Sequence, residues 1–223
     1  MDDATMFERL RDGLSTAVLG DVLDAMGHRR QFLPAGFAPL HPRQRLVGRA
    51  MPVLGADVFD GSGSGPLSGK PFGLMLEALD DLRSGEIYIA TGSSPRYALW
   101  GGLMSIRAAH LRAAGAVLDG YVRDAAEIEA LGFPVFSRGL YAQDQGPRGK
   151  VIDFRCTIEI EGVRIEPGDL LFGDREGVLV VPREAEAEAV ARAVDKMSRE
   201  GEVARAIRAG MSACGAFAEF AVM

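Results

Sequence analysis

The sequence predicts an α/β fold with its sheets in the middle of the chain and long helices at both ends. Three observations carry that expectation. Between residues 72 and 136 helical and strand-like segments alternate, as in an α/β core. From Val151 to Pro182 the chain turns to short β-type segments separated by Pro-Gly and Gly-containing turns. The first 26 residues and the stretch 184–209 carry helical spacing of apolar positions. The chain has 223 residues, 48% of them hydrophobic and 25% charged, which is enough for one continuous core. No internal repeat divides it, so residues 1–223 read as one domain.

The elements follow in order. Residues 4–13 place Phe7, Leu10 and Leu14 on one helical face. Ser15 and Thr16 are N-cap types for a second helix over 17–26, which Gly27 ends. Residues 28–45 are rich in Pro and Arg and read as an extended loop, and 47–54 reads as a strand. Gly61-Ser62-Gly63-Ser64-Gly65-Pro66 reads as a mobile surface loop. It is not a phosphate-binding loop, because Lys70 is followed by Pro71 instead of Ser or Thr. A helix over 72–82, a strand over 87–90 and a helix over 99–113 come next. Strands at 116–118 and 134–136 flank a helix at 125–131, and Asp119-Gly120 reads as a turn. Segments 151–160, 163–165, 169–172 and 178–181 read as strands. The helix over 184–209 stops at Gly210, and a short tail helix follows.

Bulk composition excludes several functions. The formal net charge is −6 and there is no basic block, so electrostatic nucleic-acid binding is not expected. Cys156 and Cys214 are isolated, which argues against a thiolate zinc site and fits a reducing cytoplasm. The acidic N-terminus has no apolar segment of a signal peptide. No run of about 18 apolar residues would span a membrane. Of 25 basic residues, only Lys70, Lys150 and Lys196 are lysines, so 22 are arginines. None of the three lysines lies in an apolar stretch, so a Schiff-base mechanism is not supported. No GxGxxG follows a strand and no GxSxG exists, which removes dinucleotide sites, Rossmann-type methyltransferases and hydrolase elbows. His28, His41 and His110 lack metal-ligand spacing, and His110 reads as a surface or interface residue.

Glycine is abundant, at 28 residues against an ordinary share of about 7%, and one pair is chemically suggestive. Gly101-Gly102 precede a helix whose first N–H groups point outward, which forms an anion site that an anion can approach closely. Arg123-Asp124 lie where a strand meets the next helix. Asp124 is either the N-cap of that helix or a site residue, and Arg123 either a surface charge or a ligand-facing cation. An anion nest, an arginine and a carboxylate together suit an oxo-acid bound with a divalent metal.

An ordered set of motifs extends this reading: 115–124, 132–139, Pro167-Gly168-Asp169-Leu170 and 173–178. Together they resemble the RraA-like family, which contains class II 4-hydroxy-4-methyl-2-oxoglutarate aldolases and a regulator of ribonuclease E activity. The likeness runs from about Ser15 to the C-terminal helix. It implies a swivelling β/β/α fold, assembly into homotrimers or homohexamers, and sites between neighbouring subunits. It further implies that Asp124 ligates Mg²⁺ or Mn²⁺, largely through waters. Arg123 would bind the keto oxygen and carboxylate and stabilise an enolate. Backbone around Gly101, Gly102, Leu103 and Met104 would hold the carboxylate. Aldolase members carry an Asp twenty-one positions before the arginine, where this chain has Gly102. They also use a Glu on the C-terminal helix of a neighbour, for which Glu200 and Glu202 are candidates.

The implied activity is that of a lyase on a 2-oxo acid. It would act by retro-aldol cleavage of a 4-hydroxy-2-oxo acid to pyruvate, by decarboxylation of an oxaloacetate-type acid, or by both. Gly102 motivates an alternative, a non-catalytic regulator or small-acid-binding protein. Ser93-Ser94-Pro95-Arg96-Tyr97 offers hydroxyls and a second cation beside the Gly-Gly turn, or else only packs an interface. The apolar residues Phe217, Phe220, Val222 and Met223 suggest that the C-terminal helices, about 184–222, pack on a neighbouring subunit.

Overall fold

The computed structural model describes residues 3–58 and 67–221. The loop expected at Gly61–Pro66 and the tail residues Val222 and Met223 therefore lie outside the described residues. The chain opens with α1 (Asp3–Gly13) and α2 (Thr16–Ala25), and the Ser15 hydroxyl caps α2 by accepting from the Val18 N–H. The middle of the chain runs β1 (Ala38–Pro39), β2 (Leu46–Asp57), α3 (Met75–Asp80), β3 (Glu86–Thr91), β4 (Ala98–Trp100), α4 (Gly102–His110), β5 (Gly115–Val122), α5 (Ala125–Leu131) and β6 (Val135–Leu140). The β-rich part holds β7 (Gly149–Phe154), β8 (Ile158–Ile160), β9 (Val163–Ile165), β10 (Leu170–Asp174) and β11 (Gly177–Val181). The end of the chain forms α6 (Glu186–Arg208) and α7 (Ala213–Phe220). The architecture is the mixed α/β one expected, with helices at both ends.

Two strands organise the sheet because each serves two partners along one edge. The first residues of β2 pair with β10 and its last residues with β7, both antiparallel. The first half of β5 pairs with β3 and its end with β4, both parallel. Strands β2, β3, β5 and β6 form the parallel centre, with β1 and the β10–β11 pair added antiparallel at its sides. Sharing the edges of β2 and β5 curls the sheet into a nearly closed surface. The strand pair β8–β9 stands apart from it.

Both faces of the sheet are covered, so its strands read as unbroken apolar runs instead of alternating ones. In β10, Leu170 and Phe172 pack with Leu10, Leu19 and Ala189 of the terminal helices, while Leu171 faces inward with Phe136 and Val180. On the other side Tyr88, Trp100 and Val122 pack with Ile128 and Phe133 beneath α4 and α5. A carboxylate fixes the N-terminus of α2 to the sheet. Buried Asp174 accepts from the Thr16 N–H (2.9 Å) and hydroxyl (2.8 Å), and from the Glu176 N–H (2.9 Å).

Several expected boundaries move, each for a physical reason. The helix expected over 99–113 begins only at Gly102, because Trp100 pairs with Val122 as a strand residue and is wedged between Tyr88 and Phe133. A short buried apolar run suits either element. Asp119-Gly120 makes no turn. Both lie inside β5, at an irregularity opposite β6, where Asp119 accepts from the Thr91 hydroxyl (2.6 Å) and pairs with Arg138 (2.8 Å). The strand expected over 151–160 is broken by Arg155, whose φ is +55°. The helix expected over 72–82 shrinks to α3, because the backbone of Phe72 and Leu74 bonds to Val151 of β7. The extended 28–45 segment is tied down by β1 and by a bridge from Phe32 to Leu179.

At the C-terminal end, α6 buries Ala189 and Ala193 with α2 of its own chain. Val194, Ile207 and Phe217 remain exposed. No helix among the described residues is long and apolar enough to cross a membrane.

Candidate functional site

The parallel strands β4 and β5 end side by side, and each passes directly into a helix. This brings the N-terminus of α4 against the first residues of α5. Crevices at the carboxyl ends of parallel strands are where α/β proteins bind ligands. Arg123 and Asp124 leave β5 at this point, and the Arg123 N–H donates to the Trp100 carbonyl (3.0 Å) across the strand ends.

Asp124 is one of five non-glycine residues with positive φ among the described residues, at φ 60° and ψ 36°. Asp tolerates this left-handed conformation better than most side chains. The consequence corrects the capping expectation. Asp124 precedes α5 but its side chain makes no cap bond there. Its Oδ2 accepts instead from the Gly102 N–H of α4 (2.9 Å). The expected anion nest is corrected too, since one of its amides is already engaged by Asp124. The Ser105 N–H returns to the Gly101 carbonyl (3.1 Å). The amides of Leu103 and Met104 lie between these two, in the positively polarised first turn of α4.

The two glycines lie close to side chains of the β5–α5 junction, and neither needs an unusual dihedral angle. Gly101 is extended, at φ −158° and ψ −174°, which any residue can adopt. A Cβ there would lie 2.8 Å from Asp124 Oδ2 and 3.2 Å from Arg123 Cγ. A Cβ on Gly102 would lie 2.5 Å from Glu127 Oε2 and 3.3 Å from Asp124 Cβ. Gly101-Gly102 thus let the strand–helix junction of β5 close onto that of β4.

Arg123 is oriented by acids on both sides. Its Nη1 pairs with Asp144 Oδ1 (3.1 Å) and its Nε lies 3.8 Å from Asp124 Oδ2. The second oxygen of Asp144 accepts from the Gly146 N–H (3.0 Å), which holds that carboxylate in place. Beneath the junction, Trp100 Nε1 donates to the Ser105 hydroxyl (2.7 Å), which donates in turn to the Gly101 carbonyl (3.2 Å). The support of the site is therefore buried while its acids are partly open to solvent.

These groups line one end of a cleft of about 440 Å³. Arg123, Asp124, Asp144 and Gln145 form its polar end, and Phe72, Leu79, Trp100 and Met104 contribute apolar wall. A larger depression of about 660 Å³ lies between α2 and α6. Lys196 there is paired with Asp21 and Glu200, so it is a groove of mutually satisfied surface charge. Among the described residues no three His, Cys, Asp or Glu side chains converge on a metal position. The arrangement instead suits a hard cation that keeps most of its waters and takes one or two carboxylates. The Glu127 carboxylate lies against Gly102, where a Cβ would meet its Oε2 at 2.5 Å.

The structure brings Gly101, Leu103, Met104, Arg123 and Asp124 to the cleft, with Gly102 beside it. It does not bring Glu200 or Glu202 there, since both lie on α6 and Glu200 is engaged with Lys196 at 3.6 Å. Ser93–Tyr97 also stays out of this cleft. Its Ser94 N–H (2.9 Å) and Tyr97 hydroxyl (2.8 Å) both donate to Asp57. Burial, reinforced by the Asp57 carboxylate, pushes the Tyr97 phenol up to about 12, so it remains a protonated donor. Arg96 lines a separate depression with Tyr121 and Tyr141. His110 is exposed at the end of α4. Sequence reasoning missed Asp144, Gln145 and Glu127. The Asp-x-Gly turn signal at Asp144 and the acid in the first turn of α5 were their only traces.

Comparison with known proteins agrees with this fold. The family model RraA-like, described as Aldolase/RraA, matches residues 16–180. A Halalkalibacterium halodurans protein named "Putative 4-hydroxy-4-methyl-2-oxoglutarate aldolase" is 30% identical over 208 residues, 92% of this chain and 90% of that protein. The crystal structure of an uncharacterized protein from Pseudomonas syringae pv. tomato superposes with a TM-score of 0.83 at 29% identity, covering 96% and 92% of the two chains. Streptomyces coelicolor RraAS2, described as an unusual member of the RNase ES inhibitor RraA protein family, superposes with a TM-score of 0.77. At 23% identity, over 92% and 97% of the chains, that likeness speaks for the fold alone.

The cap on α4 is directly testable. Asp124→Ala should lower stability by about 1–2 kcal/mol in urea denaturation, the usual cost of a lost N-cap. Asp124→Asn keeps an acceptor for the Gly102 N–H and tolerates the left-handed backbone, so it should stay close to wild type. Equal losses in both variants would contradict the capping role.

Proposed function

This chain belongs to the RraA-like family, and on that premise we propose that it is a divalent-metal-dependent carbon–carbon lyase acting on a 2-oxo acid. The observation that carries the reading is the convergence of Arg123, Asp124 and the open first turn of α4 on one end of a cleft. The aldolase name carried by a relative matched over nearly its whole length supports the reaction class.

The chemistry sets what the site must do. Retro-aldol cleavage of a 4-hydroxy-2-oxo acid breaks the C3–C4 bond and leaves its electron pair as the enolate of pyruvate. The 4-hydroxyl loses its proton to water in the cleft as its carbon becomes a carbonyl, and the enolate takes up a proton from water at C3 to give pyruvate. Decarboxylation of an oxaloacetate-type acid breaks the C3–C4 bond with loss of CO₂ and leaves the same enolate, so one site serves both reactions. The amides of Leu103 and Met104 receive the substrate carboxylate at the positive end of α4. Arg123, held by Asp144, donates to the keto oxygen and meets negative charge as it develops there. Asp124 would hold Mg²⁺ or Mn²⁺, and its position is fixed by its bond to the Gly102 N–H. When bound, the metal supplies Lewis-acid stabilisation of the same oxygen. The apolar wall takes the remainder of the substrate.

The reading takes residues 1–223 as one domain in a cytoplasmic protein. The two free cysteines suit a reducing compartment. The exposed apolar residues of α6 and α7 pack on a neighbouring subunit in a trimer or hexamer, and Glu200 or Glu202 reaches the site from there. A second reading, a non-catalytic regulator or small-acid binder, is favoured by Gly102, which offers no carboxylate.

Metal-loaded protein given oxaloacetate should release pyruvate in a coupled assay. Chelation should abolish turnover and Mn²⁺ restore it. Arg123→Ala and Asp124→Ala should each lower kcat on the order of 10²-fold. Absence of turnover on 2-oxo acids, with Asp124→Ala indistinguishable from wild type, would leave the binder. Light scattering should give the mass of three or six chains, and a stable monomer would remove the shared site.

A further inference from the structure

Resting on the lyase reading, we propose that the side-chain amide of Gln145 reads the 4-hydroxyl of the substrate, and so favours aldol cleavage over decarboxylation in the shared cleft. Gln145 lines the polar end of that cleft with Arg123, Asp124 and Asp144. It is only 4% exposed, yet its side-chain amide makes no hydrogen bond among the described residues. Its backbone, by contrast, is firmly held. The Gln145 carbonyl accepts from the N–H groups of Arg148 (2.7 Å) and Gly149 (2.9 Å). On its other side the turn is tied to β4, where the Ala98 N–H donates to the Gln143 carbonyl (2.8 Å) and Ala98 bridges to Asp144. The amide is thus fixed beside the cleft with its own bonding capacity unused.

A buried amide without a partner is costly, and native interiors contain few of them. The surroundings are mostly apolar. Phe72 and Trp100 share the cleft wall with Gln145, and Val53, Tyr88 and Val151 line a closed hollow of about 10 Å³ behind it. A methionine or leucine would suit such walls without that cost, so the amide serves a partner that arrives from the cleft. Its chemistry says which. An amide has one acceptor oxygen and two N–H donors and carries no charge. The substrate carboxylate and keto oxygen already belong to the first turn of α4 and to Arg123. What remains on a 4-hydroxy-2-oxo acid is the hydroxyl at C4, which both donates and accepts. The amide oxygen accepts from that hydroxyl, and the amide N–H donates to the same oxygen as it becomes a carbonyl. An oxaloacetate-type acid has a carboxylate at C4 and offers no such hydroxyl. A water in the hollow behind Gln145 is the competing partner, since that volume is at the limit for one molecule.

The test sets two reactions against each other in the full-length protein. Gln145→Met keeps the length of the side chain and removes the amide, and Gln145→Leu is a second apolar replacement. In both variants kcat/KM for 4-hydroxy-4-methyl-2-oxoglutarate should fall on the order of tenfold, while that for oxaloacetate stays within about threefold of wild type. Thermal unfolding adds a readout that needs no turnover. Both variants should melt at or above the wild-type temperature, because the amide has no partner in the chain. An equal fall in both reactions, unchanged aldol cleavage, or a lower melting temperature in both variants would overturn the role of Gln145 and leave the lyase reading standing. A wild type that decarboxylates oxaloacetate without cleaving the hydroxy acid would do the same. A wild type that turns over neither acid would overturn both.

Discussion

The hydrogen bond from the Gly102 N–H to the Asp124 carboxylate is the constraint on which the site depends. Two parallel strands ending side by side force two helix starts together, and both need partners for their outward N–H groups. Here one acid serves the neighbouring helix instead of its own. To do so Asp124 adopts a left-handed backbone, and residues 101 and 102 give up their side chains. Strained backbone of this kind is found preferentially where function over-determines it. The same bond leaves Asp124 fixed at the rim of the cleft, next to Arg123 and two free amides of α4. Cap and site are one arrangement, and the buried Trp100–Ser105–Gly101 chain holds it from below.

The rest of the molecule repeats this use of acids. Asp174, at the end of β10, holds the start of α2, and Asp169 accepts from the N–H groups of Glu166 (2.8 Å) and Arg183 (3.2 Å) around its turn. Arginine provides the complementary half. Arg49 joins Asp3 to Glu186, Arg138 joins Asp119 to Glu161, and Arg155 joins Asp81 to Glu86. Each guanidinium spans two carboxylates distant in the chain or across a turn, which a planar fork with several donors suits.

How much was legible in the sequence follows from what is local. The Gly-Gly turn and the Arg-Asp pair each lie within a few residues of a strand–helix junction, so their types and spacing pointed to a site. The helices at both ends carried clear periodicity and Ser15 its cap. Leu99 and Trp100 were ambiguous because a short apolar run fits a buried strand as well as a helix. Asp119-Gly120 has the composition of a turn, yet cross-strand partners Thr91 and Arg138 keep it in β5. The direction of the Asp124 carboxylate could not be read, since it is set by α4, more than twenty residues away in the chain. Asp144 and Glu127 were hidden for the same reason: one is defined by Arg123 and the other by its approach to Gly102.

On the lyase reading, cap, cation and substrate carboxylate share the α4–α5 junction. Crystals of the protein soaked with Mn²⁺ and oxalate, measured at the manganese absorption edge, test it most directly. The expected result is one anomalous peak beside Asp124 in the cleft, with an oxalate carboxylate on the first turn of α4 and the Arg123 guanidinium on its oxygen. Manganese bound elsewhere, or oxalate away from Arg123 and α4, would contradict it.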